Sequence, residues 1–224
     1  MFSLQAKISY QLFLLLRYPQ PPLKDGPGKV ISLFPETDDI PFGSLCLKNI
    51  ETAGDRKVPK NQADRRVHLV ANPSTIQINE VTIGITSTDA LFHLNTQEIN
   101  ANLPPGTRMM RMAKHFIQQR SYYPIFPPPA NPGTDMNLDL THEEAYSMPV
   151  VPDILLLPSK LKCLAEEIEG GPIVVNPGHL VKGAMGGTFS VIDIHPMKKE
   201  VLEETQDSLE HNLKSRTRAE VRRI

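Results

Sequence analysis

The sequence predicts an α/β layer fold containing a parallel pair of strands, and three stretches carry that prediction. In PDILLLPSKLKCLAEEIEGGPIVVNPG, Pro152 to Gly178, two short apolar runs bracket a segment with apolar residues at helical spacing. The first run, Ile154 to Leu157, is unbroken, as in a strand covered on both faces. Strand, helix and strand within so few residues imply a parallel pair. Upstream, VHLVANPSTIQINEVTIGITS alternates apolar and polar residues, and downstream TFSVIDIH reads as one more strand.

The elements follow in order. SYQLFLLLRY (Ser9 to Tyr18) is apolar over only a few residues and has no small-residue cleavage site, so it reads as a buried strand or helix rather than a signal peptide or a membrane span. With the YPQPP link it makes an N-terminal element over residues 1–22. Residues 23–64 hold short apolar islands, VISLF and LCL, without a sustained period, and are expected to be a long loop or disordered insert. Residues 65–196 form the main folded unit. Its opening strand is followed by a β-hairpin, with a break at NPS and a polar tip at Asn79 and Glu80. Ser87 or Thr88 is placed to cap a short helix through Leu91 and Phe92. A second helix spans Thr107 to Arg120, with Met109, Ala113, Phe116 and Ile117 on one face, which reads as core packing. Between the apolar runs, Ser159 is the expected N-cap of a third helix. Leu161, Leu164, Ala165 and Ile168 mark its face and Gly170 and Gly171 its end. Residues 197–214, MKKEVLEETQDSLEHNLK, are a solvated helix or flexible excursion, and 215–224 return as an edge strand with arginines toward water. The prolines, 21 in all, gather in YPQPP, LPPG and YYPIFPPPANPG, which are stiff extended connections.

A length of 224 residues suffices for one domain with a real core. Lys and Arg number 24 against 25 Asp and Glu, so no global charge draws the chain to nucleic acid. Cys46 and Cys163 are too far apart for the paired spacing of a zinc ribbon, offer at most one disulfide and suit a reducing compartment.

Candidate chemistry centres on VVNPGHLVKGAMGGTF, Val174 to Phe189, a glycine-rich loop after a strand. A triphosphate loop needs Lys and then Ser or Thr directly after its second glycine, so that amides and ammonium converge on the phosphates. Here Gly178 and Gly183 have the right gap, but Lys182 precedes Gly183 and Ala184 follows it. The dinucleotide spacing G-x-G-x-x-G is also missing. A two-metal phosphoesterase gathers Asp, His and Asn side chains around cations roughly 3.5 to 4 Å apart. Asp89, Asp153, His93, His179 and His195 are scattered along the chain, and His179 reads as a loop histidine. Ser87 and Ser121 lack a nucleophile elbow, and Cys163 falls on the apolar side of the expected third helix, where a thiol is inert. Arg120, Tyr122 and Tyr123 could form a stacking strip for single strands, although tyrosines beside proline more often wall a packed loop. No catalytic, cofactor-binding or metal-ligating residue is assigned.

The blocks YPQPP, ANPSTIQINEVTIGITSTDALFHLNTQEI, QQRSYYPIFPPP, PDILLLPSKL and VVNPGHLVKGAMGGTF, in that order, resemble the C-terminal part of the DNA polymerase alpha B-subunit family. The likeness covers about Val67 to Phe189, with Tyr18 to Pro22 and the terminal EVRRI. It implies part of a calcineurin-like phosphoesterase two-sheet sandwich flanked by helices, an α/β (α+β) fold that is catalytically inactive. It further implies a non-catalytic accessory subunit in the nucleus, with no cofactor. Such a subunit grips the zinc-binding C-terminal domain of the catalytic subunit of DNA polymerase alpha and, through the complex, meets the primase subunits. DNA contact would be weak or indirect, and no membrane is involved. The rival reading is an active metal-dependent phosphoesterase. The family's chain is longer, with a helical module and an oligonucleotide-binding-type domain, and carries a histidine pair where this chain has LLLR. The chain is thus expected to be an N-terminally truncated form, marginally stable alone.

Overall fold

The structure, a computed structural model, describes residues 2–8, 12–17 and 30–33, then 67–196 and 212–224 apart from 100, 102–105, 131–135, 137 and 183. The strands in chain order are β1 (Phe2–Ile8), β2 (Leu12–Arg17), β3 (Val30–Leu33), β4 (Val67–Val70), β5 (Ser74–Ile78), β6 (Val81–Ile85), β7 (Ile154–Leu156), β8 (Leu164–Glu167), β9 (Ile173–Asn176), β10 (Val181–Lys182), β11 (Met185–Gly186), β12 (Thr188–Ile194) and β13 (Thr217–Arg223). Among the described residues two α-helices, α1 (Ala90–Gln97) and α2 (Arg108–Gln118), lie between β6 and β7, followed by a 3-10 stretch at Leu140–Tyr146.

The larger sheet runs β13-β12-β1-β2-β3-β4 and the second β5-β6-β7-β9-β8. In the second sheet β6, β7 and β9 are parallel, flanked by antiparallel β5 and β8. The fold is therefore mixed α/β, and the apolar runs at Ile154 and Ile173 are the parallel neighbours the sequence predicts.

Side-chain alternation divides the second sheet between two cores. Ile83, Ile85, Ile154, Leu156, Ile173 and Val175 point one way and pack with Ile192 and Ile194 of the larger sheet. Leu155, Leu157 and Val174 point the other way, onto Leu91, Met112, Ala113 and Phe116 of the helices. Strands β7 and β9 are thus covered on both faces, which is why they read as continuous apolar runs, whereas β6 alternates and sends its large apolar residues to one core only. The expected packing face of α2 holds in kind but is rotated, for Met110 and Met112 are buried with Ala113 and Phe116, while Met109 and Ile117 are only partly covered. Thr107 caps this helix by accepting from the Met110 N–H at 3.3 Å.

Two local expectations are corrected. The segment expected to form a third helix after Ser159 is a loop followed by β8, a strand antiparallel to β9 in the register Leu164↔Asn176. Gly170, at φ 66, turns the hairpin instead of ending a helix. The open edge of β9 offers a row of backbone partners, and pairing with it satisfies more polar groups than one isolated helical turn would. Ser159 accordingly caps a turn, accepting from the Leu161 N–H at 3.1 Å. The cap of α1 is Asp89, whose Oδ1 accepts from the Phe92 N–H at 3.0 Å, and not Ser87 or Thr88.

The β5–β6 hairpin turns at Asn79, which takes the left-handed region at φ 54, as its polar tip predicts. In the N-terminal run, the choice between strand and helix falls to strand, with β1 and β2 antiparallel. Within the stretch expected to be a long loop, Val30–Leu33 pairs in parallel with β4. The charged excursion lies outside the described residues up to 211, and TRAEVRRI forms the expected edge strand against β12.

Candidate functional site

Ligands of open α/β sheets gather at the carboxyl ends of the parallel strands. In this chain that edge is formed by Thr86 after β6, Leu157 to Lys160 after β7 and Asn176 to His179 after β9. Here the polar side chains bind their own backbone. Asn176 is fully buried, and its Oδ1 accepts from the N–H groups of Ser159 and Gly178, each at 2.9 Å. Its Nδ2 donates to the Lys162 carbonyl at 3.1 Å. One amide side chain thereby ties the end of β9 to the loop that leads into β8.

Asn72 acts in the same manner on the neighbouring strand. Its Oδ1 accepts from the Ser87 N–H at 2.8 Å, and the buried Thr86 hydroxyl accepts from the Thr88 N–H at 3.2 Å. Asp89 uses both oxygens, one on the Phe92 N–H and the other on the Lys160 N–H at 2.9 Å. The Lys160 ammonium sits 3.3 Å from the centroid of the Phe92 ring, where the ring quadrupole attracts it.

The remaining candidates are not brought together. Asp153 lies at the opposite end of β7, where its Oδ2 accepts from the Thr82 N–H at 2.8 Å. His195 is exposed; its N–H donates to the Arg216 carbonyl and its carbonyl accepts from Arg216 Nη1, while Nη2 of that guanidinium reaches Glu80 beside the β5–β6 turn. His93 is buried in α1, its Nδ1 2.9 Å from the Tyr123 hydroxyl. Burial pulls the imidazole below its ordinary pKa, with Asp89 opposing and Lys160 adding to the shift. Burial also pushes the Tyr123 hydroxyl up to about 12. His179 is half-buried in the loop after β9. Among the described residues no group of three or more His, Cys, Asp and Glu is placed to hold a metal ion.

The glycine loop divides its work. Gly178 adopts φ 72, a region that favours glycine, and a side chain there would meet Thr188 Oγ1 and Cys163 Sγ. Gly187 serves a close approach instead, for a Cβ on it would lie 1.9 Å from the His179 carbonyl oxygen. A positive-φ turn is thus made at Gly178, and the small β10–β11 hairpin completes the loop. Cys163 precedes β8 in a loop, not on a helix face, and its Sγ lies 3.4 Å from the Thr188 hydroxyl. Ser121 accepts from the Tyr123 N–H at 3.1 Å. Tyr122 and Tyr123 are buried, as wall residues of a packed loop, so they offer no open stacking face; Arg120 adopts φ 47 beside them.

Sequence reading missed Asn72, Asn176 and Thr86. The available signal was the Asn-Pro step that follows or precedes an apolar run in NPS and NPG, where an Asn side chain commonly closes a turn on its own backbone.

The geometry defines a mixed α/β domain whose strand-end polar groups organise its own chain. The family model for the DNA polymerase alpha/epsilon B subunit matches residues 32–165, more than half of the sequence, and the chain belongs to that family. The DNA polymerase alpha B subunit of Mus musculus is 42% identical over 126 residues, which make up 56% of this chain and 20% of that protein. Its Schizosaccharomyces pombe counterpart is 33% identical over 132 residues, 57% of this chain and 22% of its own. The Saccharomyces cerevisiae counterpart aligns with 98% of this chain at 26% identity, covering 35% of its length. The chain therefore spans about a fifth to a third of the relatives it matches. Among the described residues no helix is long and apolar enough to cross a membrane.

Proposed function

We propose that this chain serves as a non-catalytic accessory portion of a DNA polymerase alpha B subunit, acting in the nucleus through protein contacts in the initiation of DNA replication. Its fold is part of a catalytically inactive calcineurin-like sandwich, with the main unit at residues 65–196 and the strand at 215–224 closing one edge. The partner is the C-terminal domain of the catalytic subunit, and the primase subunits are reached through the complex. DNA contact is weak or indirect, and no cofactor is used.

Family membership supports the accessory role. The observation that carries the non-catalytic part is the commitment of Asn176 and Asp89, at the carboxyl ends of the parallel strands, to backbone N–H groups of their own chain. A carboxylate or amide oxygen used in that way holds loops in place. For Asn176, recruiting the oxygen for a cation would release buried N–H groups, at a cost of about 1 to 3 kcal/mol each. Co-purification of the tagged chain with the isolated C-terminal domain of the catalytic subunit tests the reading. A stoichiometric complex that survives gel filtration is expected, and separate elution at micromolar concentration of both would refute it.

A further inference from the structure

Among the described residues strand β13 is the outer edge of the larger sheet and pairs with β12 alone. Two hydrogen bonds fix its phase: His195 N–H donates to the Arg216 carbonyl at 2.9 Å, and Ile224 N–H donates to the Gly187 carbonyl at 3.0 Å. Even-numbered residues therefore turn their backbone groups toward β12, and odd-numbered ones turn them outward. The Thr217 N–H is used by the Lys214 carbonyl. The N–H and C=O groups of Ala219, Val221 and Arg223 are left facing out, with no strand paired to them among the described residues.

The side chains along this edge have a definite order. Ala219 packs toward the core, while Arg218, Glu220 and Arg222 share the other face. Glu220 accepts from Arg222 Nε at 2.8 Å and from Arg218 Nη2 at 3.4 Å, so the row reads positive, negative, positive. At the end of the strand Ile224 approaches Gly186 of the β10–β11 hairpin, and Ile224 and Met185 are both well exposed, at 63% and 73%.

We propose that β13 is a strand-addition site for an extended segment of a partner protein that pairs antiparallel, begins with a large apolar side chain and then reads acidic, basic, acidic at alternate residues. In the new ladder residues 218, 220 and 222 occupy the positions without mutual backbone bonds, where facing side chains approach most closely. Opposite charges there specify the partner, the outward amides hold it, and the Met185–Ile224 tip receives the apolar end. A second copy of this chain fits poorly. Centred antiparallel pairing would oppose Glu220 to Glu220 and Arg218 to Arg222.

The test uses the full chain and a fluorescein-labelled heptapeptide that begins with leucine and then alternates valine with glutamate, lysine and glutamate, so that antiparallel pairing sets the leucine opposite Ile224 and the charges opposite Arg222, Glu220 and Arg218. Saturable binding is expected, about tenfold tighter than for the same peptide with its charges reversed. The triple variant Arg218→Glu, Glu220→Arg, Arg222→Glu should invert that preference. Val221→Pro should abolish binding of both peptides, because it removes an outward N–H that β12 does not use. Equal affinity for the two peptides, undiminished binding by Val221→Pro, dimerisation through this edge, or no binding at all would overturn the proposal. The last result would be accompanied by slow amide exchange at Ala219 and Val221 if another stretch of the chain already covered the edge.

Discussion

The Nδ1 of His93, on α1, lies 2.9 Å from the hydroxyl of Tyr123, and both side chains are buried. Burial is the main force lowering the imidazole's pKa from 6.5, and Lys160 adds to it against Asp89. The unfolded chain therefore binds a proton that the folded chain resists. Stability from this group is fully present above the unfolded value near 6.5 and is lost as pH falls toward the lower folded value. Urea midpoints measured across that window should decline with acidification, and His93→Gln should flatten the decline. A flat wild-type profile would refute the assignment.

Asn176→Ala should be the most costly single change at the strand ends. It strands the buried N–H groups of Ser159 and Gly178 and empties the volume of the amide. A loss of about 2 to 4 kcal/mol is expected in equilibrium denaturation. A loss below that range would mean the loop after β7 is held by other contacts.

Tyr122 is buried, and its hydroxyl lies 2.7 Å from Thr75 Oγ1, joining β5 to the loop after α2. Tyr122→Phe should cost about 1 kcal/mol, since the ring still fills its place while the bonds to Thr75 Oγ1 and the Ser74 carbonyl are lost. Tyr122→Ala should cost about 3 to 5 kcal/mol. Comparing the two by chemical denaturation separates hydrogen bond from packing.

Asp89→Ala removes the cap of α1 and the acceptor for Lys160 N–H. The expected loss is about 1 to 2 kcal/mol. Asp89→Asn should recover part of it, because an amide oxygen can still accept from the Phe92 N–H. Thermal unfolding of the two variants side by side would show the order.

The sequence was most readable where a local rule and the tertiary environment agree. Asn79 tips a hairpin because it tolerates the left-handed region, and Thr107 begins α2 because its hydroxyl reaches the Met110 N–H. The segment from Ser159 to Ile168 failed because Leu161, Leu164, Ala165 and Ile168 fit a helix in isolation, whereas β9 offers β8 an edge that no local pattern announces. At the site, the Asn-Pro steps of NPS and NPG stand in the sequence. The roles of Asn72 and Asn176 were not legible, since an amide that accepts from an N–H 15 or more residues away depends on the folded topology.

Hydrolysis of a generic phosphodiester, such as bis-p-nitrophenyl phosphate, by the purified chain in millimolar manganese tests the central claim most directly. The account predicts a rate equal to the protein-free blank and unchanged by chelator. Turnover that requires manganese, disappears with chelator and is lost in both Asp89→Asn and Asn176→Ala, while a folded control variant such as Tyr122→Phe retains it, would contradict the account.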